Sequence, residues 1–166
     1  MNRKEEIAKK VEELAKQIEK DYEGEQLLVV GILKGASVFV SDLIRKINLD
    51  VNIDFMSVSS YGNGTESSGT VRILKDLDVD IAGKNVLIVE DIVTTGGSVK
   101  EVVDVVREHR GIPVGVGMLV DRSGGKAVFD IPVQALLHLD VPTYDPEACP
   151  LCAQSIPITK RGSKNL

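Results

Sequence analysis

Glu90 and Asp91 stand together where an apolar run, Val86-Leu87-Ile88-Val89, gives out, and Thr94-Thr95-Gly96-Gly97-Ser98 begins two residues later. Paired carboxylates accept hydrogen bonds from vicinal hydroxyls or hold a hard cation through oxygen. A short turn of glycines and hydroxyl residues leading into a helix aims backbone N–H groups at a phosphate, and the helix N-terminus adds a favourable field. In tandem the two features suit a sugar phosphate, with the acids on the ribose hydroxyls and the turn on the phosphate. Taken alone, the acids also read as solvated strand-end charges and the glycines as a plain turn. A second such place lies upstream, where Leu27 to Leu33 is another apolar run ending in Lys34-Gly35. An ammonium and a glycine N–H there suit a docking anion, although a single lysine is by default solvated.

These groups need a scaffold, and the periodicities supply one. Ile7, Val11, Leu14, Ala15, Ile18 and Tyr22 recur at steps of three and four and predict an amphipathic helix over 3–22, stopped by Gly24. The runs 27–33 and 86–89 predict parallel strands buried on both faces. Between them, a helix over 36–47 is expected to turn Val38, Phe39, Leu43, Ile44 and Ile47 inward, and 51–58 alternates as a strand with Ile53, Phe55 or their neighbours on the core side. Residues 59–70 are rich in Gly and Ser and carry too little apolar surface to pack. They read either as a solvent-exposed hairpin loop or as a lid that closes and excludes water. A strand resumes over 71–74. Ser98-Val99-Lys100-Glu101 has the spacing of a capping box at the start of a helix with Val99, Val102, Val103 and Val106 as its buried stripe, ended by Gly111. Strands over 114–120, closing on Asp121-Arg122, and over 133–139 follow. This order predicts an α/β fold with a mostly parallel central sheet flanked by helices, one domain over 1–166. In such sheets ligands bind outside the carboxyl ends of the strands, where both candidate sites fall. The Pro-rich segment over about 140–166 reads as a small hood over the site or as a loosely packed tail.

Composition narrows the partners. The 166 residues, 43% hydrophobic, suffice for one buried domain, and a formal charge of −5 leaves no footprint for nucleic acid or a membrane surface. Small-molecule partners are expected. There is no apolar run of membrane-spanning length and no leader pattern, so the chain reads as cytoplasmic. Its two cysteines, Cys149 and Cys152, form Cys-Pro-Leu-Cys, and a structural zinc site lacks its other two ligands. Reduced structural thiols, a redox-sensitive pair and an intersubunit metal site stay open.

The run from Val86 to Ser98 resembles the phosphoribosyl pyrophosphate (PRPP) motif of the type I phosphoribosyltransferases. Up to about residue 89 the chain is similar to bacterial hypoxanthine-guanine phosphoribosyltransferases, through Leu33-Lys34-Gly35, Ile53-Asp54-Phe55-Met56, Ser59-Ser60-Tyr61-Gly62 and Gly69 to Asp78. From Glu90 onward it resembles orotate phosphoribosyltransferases, through Glu90 to Ser98, Leu119-Val120-Asp121-Arg122 and Tyr144 to Cys152. Two partial resemblances point to a recombined, reconstructed or designed sequence. They imply a homodimer or homotetramer that binds PRPP and a nucleobase with Mg²⁺. Glu90 and Asp91 would hold the ribose hydroxyls and, through water or those hydroxyls, the metal. Thr94, Thr95, Gly96, Gly97 and Ser98 would hold the 5-phosphate, Lys34 and Gly35 the pyrophosphate, and Ser60 and Tyr61 would belong to the lid.

The same resemblances expose departures. The purine enzymes carry, at the position of Thr94, an Asp that exchanges a proton with purine N7, and threonine cannot ionise to do so. They also carry a Lys at the position of Asp121 to read the purine 6-oxo group, and a base-stacking aromatic segment near the end that is not recognisable here. The orotate enzymes use a lid with a catalytic Lys and His, absent from this one. Arg122 matches an arginine near their base, and its fixed planar donors suit an anionic ligand; a surface arginine pairing with Asp121 or with solvent is the alternative. On this basis orotate is the expected base, hypoxanthine or guanine the next, and a non-catalytic PRPP-binding regulator or engineered scaffold the third reading.

Overall fold

The computed structural model describes residues 3–60, 71–142, 144 and 146–156. In chain order the main elements are α1 (Arg3–Asp21), β1 (Leu27–Ile32), α2 (Ala36–Ile44), β2 (Val51–Ser60), β3 (Val71–Lys75), β4 (Asn85–Val93), α3 (Gly97–Glu108), β5 (Ile112–Asp121), β6 (Val133–His138) and the single turn α4 (Pro150–Ala153). The strands form one sheet in the order β3-β2-β1-β4-β5-β6. All neighbours are parallel except β2 and β3, which run antiparallel at one edge. The expected α/β architecture is therefore present. From β1 the chain crosses through α2 to β2 on one side, and from β4 through α3 to β5 on the other, so the order reverses between β1 and β4. That is the topological switch point, outside whose carboxyl ends a crevice opens.

Strand alternation sorts the core into two layers. Leu27, Val29, Leu87 and Val89 pack on α1 and α2, against Leu14, Ile18, Phe39 and Leu43. Leu28, Val30, Val86 and Ile88 pack on α3, against Val99, Val102, Val103 and Val106. Both faces are covered, which is why these strands read as unbroken apolar runs. One residue expected to face inward on α2 faces outward, and on β2 the neighbours of Ile53 and Phe55 take the core side. Val38 is 70% exposed, because the buried stripe of α2 is Ala36, Phe39, Val40 and Leu43 and a residue two positions from Ala36 points away from it. On β2 the buried residues are Met56 and Asp54, while Ile53 is exposed. Ser59 and Ser60, expected in the loop, extend β2 and pair with β3; the rest of that expectation, 61–70 with Tyr61, lies outside the described residues.

Asp54 is a carboxylate only 6% exposed, a cost that its partners must offset. The N–H groups of Phe55 and Asp78 donate to it, both at 2.7 Å, and the Lys75 ammonium lies 3.4 Å away. Lys75 also donates to the Phe55 and Asp76 carbonyls at 2.8 and 2.9 Å and to Asp78 at 3.0 Å. This network ties the end of β3 and the segment after it to the middle of β2. Burial alone would raise the Asp54 pKa, but the two backbone N–H groups and the ammonium outweigh it and hold the carboxyl below the usual range. A depressed acid stabilises the fold above its unfolded value, about 3.9, and that contribution is lost as pH falls through the lower folded value. Asp54→Ala should cost roughly 2–4 kcal/mol at pH 7, chiefly by stranding the Phe55 and Asp78 N–H groups, since Lys75 keeps its other acceptors. In urea melts of Asp54→Asn, the deficit against the parent should shrink below about pH 4; a pH-independent deficit would show that the carboxylate's charge is not what holds this network.

Candidate functional site

The acid pair does not lie past the end of its strand, as the composition of the run suggested, but inside it. β4 continues to Val93 because the ten-residue β5 continues beside it, with Glu90 opposite Met118 and Val93 opposite Asp121. On its other side the pairing with β1 stops at Gly31–Val89. From Glu90 on, that edge of β4 faces the turn from β1 into α2, where the Leu33–Lys34 peptide is cis.

Alternation then sends the two acids to opposite faces. Asp91 turns toward α2 and meets Gly35, where a Cβ would overlap its carboxylate. Only glycine at position 35 leaves room for the carboxylate, and Lys34-Gly35 and Asp91 become one site although 56 residues separate Gly35 from Asp91. Glu90 turns toward α3 and is 7% exposed. One of its oxygens accepts the Asp91 N–H at 2.9 Å. Burial, reinforced by the adjacent Asp91 carboxylate, outweighs that hydrogen bond and pushes the Glu90 pKa up to about 9. The free site at neutral pH thus carries Glu90 protonated. A cation or hydrogen-bond donors arriving beside it favour the ionised form.

Thr94 to Ser98 form the turn from β4 into α3. Gly96, not Ser98, is the residue before the helix, with φ +82°, and neither α2 nor α3 has a side-chain cap. The capping box expected at Ser98 and Glu101 is absent because the helix begins at Gly97, placing Ser98 inside its first turn. Thr95 Oγ1 accepts a long hydrogen bond of 3.5 Å from the Gly97 N–H. Thr94, Thr95, Ser98 and Lys34 are exposed. Two helix N-termini with uncapped N–H groups therefore flank the acid pair, one after β1 and one after β4, an arrangement suited to two anionic groups.

At the far side of the crevice, the Arg122 N–H donates to Val93 O at 2.8 Å, fixing the end of β5 beside the end of β4. Asp121 accepts the Ser123 N–H at 2.8 Å and lies 3.3 Å from His138 Nδ1 at the end of β6. The Ser123 backbone and hydroxyl, with His138, hold the Asp121 pKa below the usual range despite some burial. Among the described residues Arg122 makes no ion pair with Asp121, which leaves solvent as the partner in the alternative reading of this arginine. His138 gave no signal in the sequence, since a histidine ending a short strand has no motif around it; only the register of β5 and β6 brings it to Asp121. A hollow of about 420 Å³ lies along α3, between Lys100, Arg107 and Phe129, but none of the site residues lines it. The described part of the carboxyl-terminal segment is a 3-10 turn, Pro146–Ala148, followed by α4, none of whose residues is buried.

The Phosphoribosyl transferase domain family matches residues 1–141, and the chain belongs to that family. It is 52% identical over 103 residues to a hypoxanthine-guanine phosphoribosyltransferase of Aquifex aeolicus, covering 61% of this chain and 58% of that protein. Against the Bifunctional protein TilS/HprT of Listeria innocua it is 43% identical over 123 residues, 74% of this chain and 19% of the relative. A crystal structure of a hypoxanthine-guanine phosphoribosyltransferase from Bacillus anthracis superposes with a TM-score of 0.75 at 43% identity, covering 82% of this chain and 80% of that one. The chain thus spans from a fifth to under two thirds of the length of these two curated relatives. The expectation of orotate as the base is corrected by these findings, because the relatives and structural neighbours are hypoxanthine-guanine enzymes. No orotate-type resemblance or chimeric origin is supported by them.

The turn yields a sharp contrast between adjacent glycines. A Cβ at Gly96 would lie 2.9 Å from Phe129 Cζ and 3.2 Å from Ala127 Cβ on a left-handed backbone, whereas at Gly97 the nearest atom is Thr95 Oγ1 at 3.7 Å. Gly96→Ala should lower stability by roughly 2–4 kcal/mol, and Gly97→Ala by no more than about 0.5 kcal/mol, both read from denaturant midpoints.

Proposed function

We propose that this chain carries a phosphoribosyltransferase activity that moves the 5-phosphoribosyl group of PRPP to hypoxanthine or guanine and releases pyrophosphate. The observation that supports it most is the convergence on one switch point of an acid pair and two uncapped helix N-termini, matching a ligand with vicinal hydroxyls and two phosphate groups. The purine preference rests on the hypoxanthine-guanine relatives.

In this reading Thr94 to Ser98 and the start of α3 bind the 5-phosphate. Lys34 and the Gly35 N–H bind the pyrophosphate. Asp91 and Glu90 accept from the ribose hydroxyls and face the anomeric carbon. Purine N9 attacks that carbon while the imidazole ring of the base gives up its proton to water, and the carbon's bond to pyrophosphate breaks with both electrons leaving on the pyrophosphate oxygen. Positive charge builds on the ribose ring and negative charge on the leaving group, so catalysis is chiefly electrostatic, and Ser60 and Tyr61 would help exclude water. Two carboxylates with room for water and phosphate oxygens are the donor set that Mg²⁺ accepts. That ion, held through Glu90 and Asp91 or their waters, would neutralise charge on the pyrophosphate. A homodimer or homotetramer in the cytoplasm, built from one domain over 1–166, completes the proposal. The described helices hold none long and apolar enough to cross a membrane.

Thr94 and Asp121 favour one second reading, PRPP binding without turnover, since neither supplies the proton partner or the cation that the purine enzymes place there. Pyrophosphate release from Mg-PRPP should appear with hypoxanthine or guanine and not with orotate or without a base. Glu90→Ala combined with Asp91→Ala should abolish PRPP binding by calorimetry. Binding without release for any base would establish the second reading, and binding unchanged in the double variant would remove the ribose assignment. Thr94→Asp should raise purine turnover at least tenfold if the N7 proton limits the rate, and turnover at the parent level would place the limitation in base binding.

A further inference from the structure

The Cys-Pro-Leu-Cys segment takes no part in the site at the strand ends. Cys149 immediately precedes α4 and Cys152 lies within it, three residues on, and both thiols are free and partly exposed. The two thiols are near enough for each to perturb the ionisation of the other. The turn is fixed by the Ala153 N–H on Cys149 O at 3.0 Å and the Ser155 N–H on Cys152 O at 2.9 Å. Pro150 opens the helical turn, where its fixed φ is already correct and its missing N–H costs nothing. That hydrogen-bonded turn keeps the two cysteines, three residues apart, at one end of α4, and a disulfide needs their Cβ atoms brought to roughly 3.8 Å. No residue of α4 is buried, so that step disturbs no core packing.

The two sulfurs are also unlike. The Cys152 N–H and thiol hold the Cys149 thiol below its ordinary pKa, while the hydrogen bond to Cys149 and burial push that of Cys152 up. One is thereby suited to attack and the other to resolve. Among the described residues no cluster of three or more Cys, His, Asp or Glu side chains forms a metal site around the pair.

We propose that Cys149 and Cys152 are a reversible dithiol–disulfide site, oxidised by low-molecular-weight disulfides, with Cys149 attacking and Cys152 resolving. The Cys149 thiolate attacks a disulfide RSSR, forming a mixed disulfide and expelling one thiolate RS⁻. The Cys152 thiolate then attacks the Cys149 sulfur and expels the second. The protein loses two electrons and two protons, which RSSR takes up to become two RSH. This chemistry is independent of the proposed transferase activity.

The test uses the full chain with glutathione disulfide, read by intact mass and maleimide labelling. The folded parent should lose two hydrogens and both maleimide additions, regain them with dithiothreitol, and oxidise at least tenfold faster than the chain in urea. Cys152→Ser should stop at one glutathione adduct on Cys149, and Cys149→Ser should react at least tenfold more slowly. Stable adducts on both cysteines of the parent, disulfide-linked dimers, or equal rates folded and in urea would each overturn the proposal.

Discussion

The approach of the Gly35 backbone to the Asp91 carboxylate is the constraint on which the site's geometry depends. It is possible only because β1 is three residues shorter than β4, so that β4 runs on past Val89 with β5 alone at its side. The open edge of β4 is then available to the turn after β1. Were the two strands equal in length, a ladder hydrogen bond would stand where the turn now meets the acid, and the two helix N-termini would be separated by sheet. A difference in strand length therefore turns two ordinary strand–helix junctions into one crevice.

The burial of Glu90 gives that crevice an adaptable charge. With Glu90 protonated near neutrality beside Asp91, the free pair avoids burying a second anion next to the first. Positive charge arriving in front of the pair, whether a divalent cation or a ribose ring losing its leaving group, shifts the balance toward the second ionisation. In the proposed reaction the pair would thus be most negative when the ring is most positive, the differential stabilisation that catalysis requires. The orientation of the two carboxylates follows from strand alternation alone, which sends neighbouring residues to opposite faces.

Much of this was legible because the strands are buried on both sides. Continuous runs such as Leu27 to Ile32 and Val86 to Val89 announce parallel strands, and glycine-rich junctions after them announce ligand sites at their ends. The stripe Val99, Val102, Val103 and Val106 likewise fixed α3 and its buried face. What escaped depends on partners distant in sequence. Nothing local marks Asp54 as buried, since its burial is made tolerable by Lys75 and the Asp78 N–H more than twenty residues away. The helix start moved from Ser98 to Gly97 because Gly96, packed under Phe129 on a left-handed backbone, sets the entry to α3 in place of a capping side chain. His138 joined Asp121 only through the register of two adjacent strands.

The far end of the crevice, where the proposed function would seat the base, was harder to read because it turns on what Asp121 and Arg122 can donate and accept, not on a motif. The 6-oxopurine edge presents an acceptor, O6, beside a donor, N1–H. A lysine at position 121 would answer only the acceptor. An Asp121 carboxylate answers only the donor, and it is already held ionised by the Ser123 N–H and by His138. The complementary donor must then come from Arg122, the next residue along the chain, whose planar guanidinium can meet a carbonyl oxygen while the carboxylate meets N1–H. Under the proposed function the reversal of charge at position 121 is therefore compatible with a 6-oxopurine, provided the base is turned so that N1–H and not O6 faces Asp121.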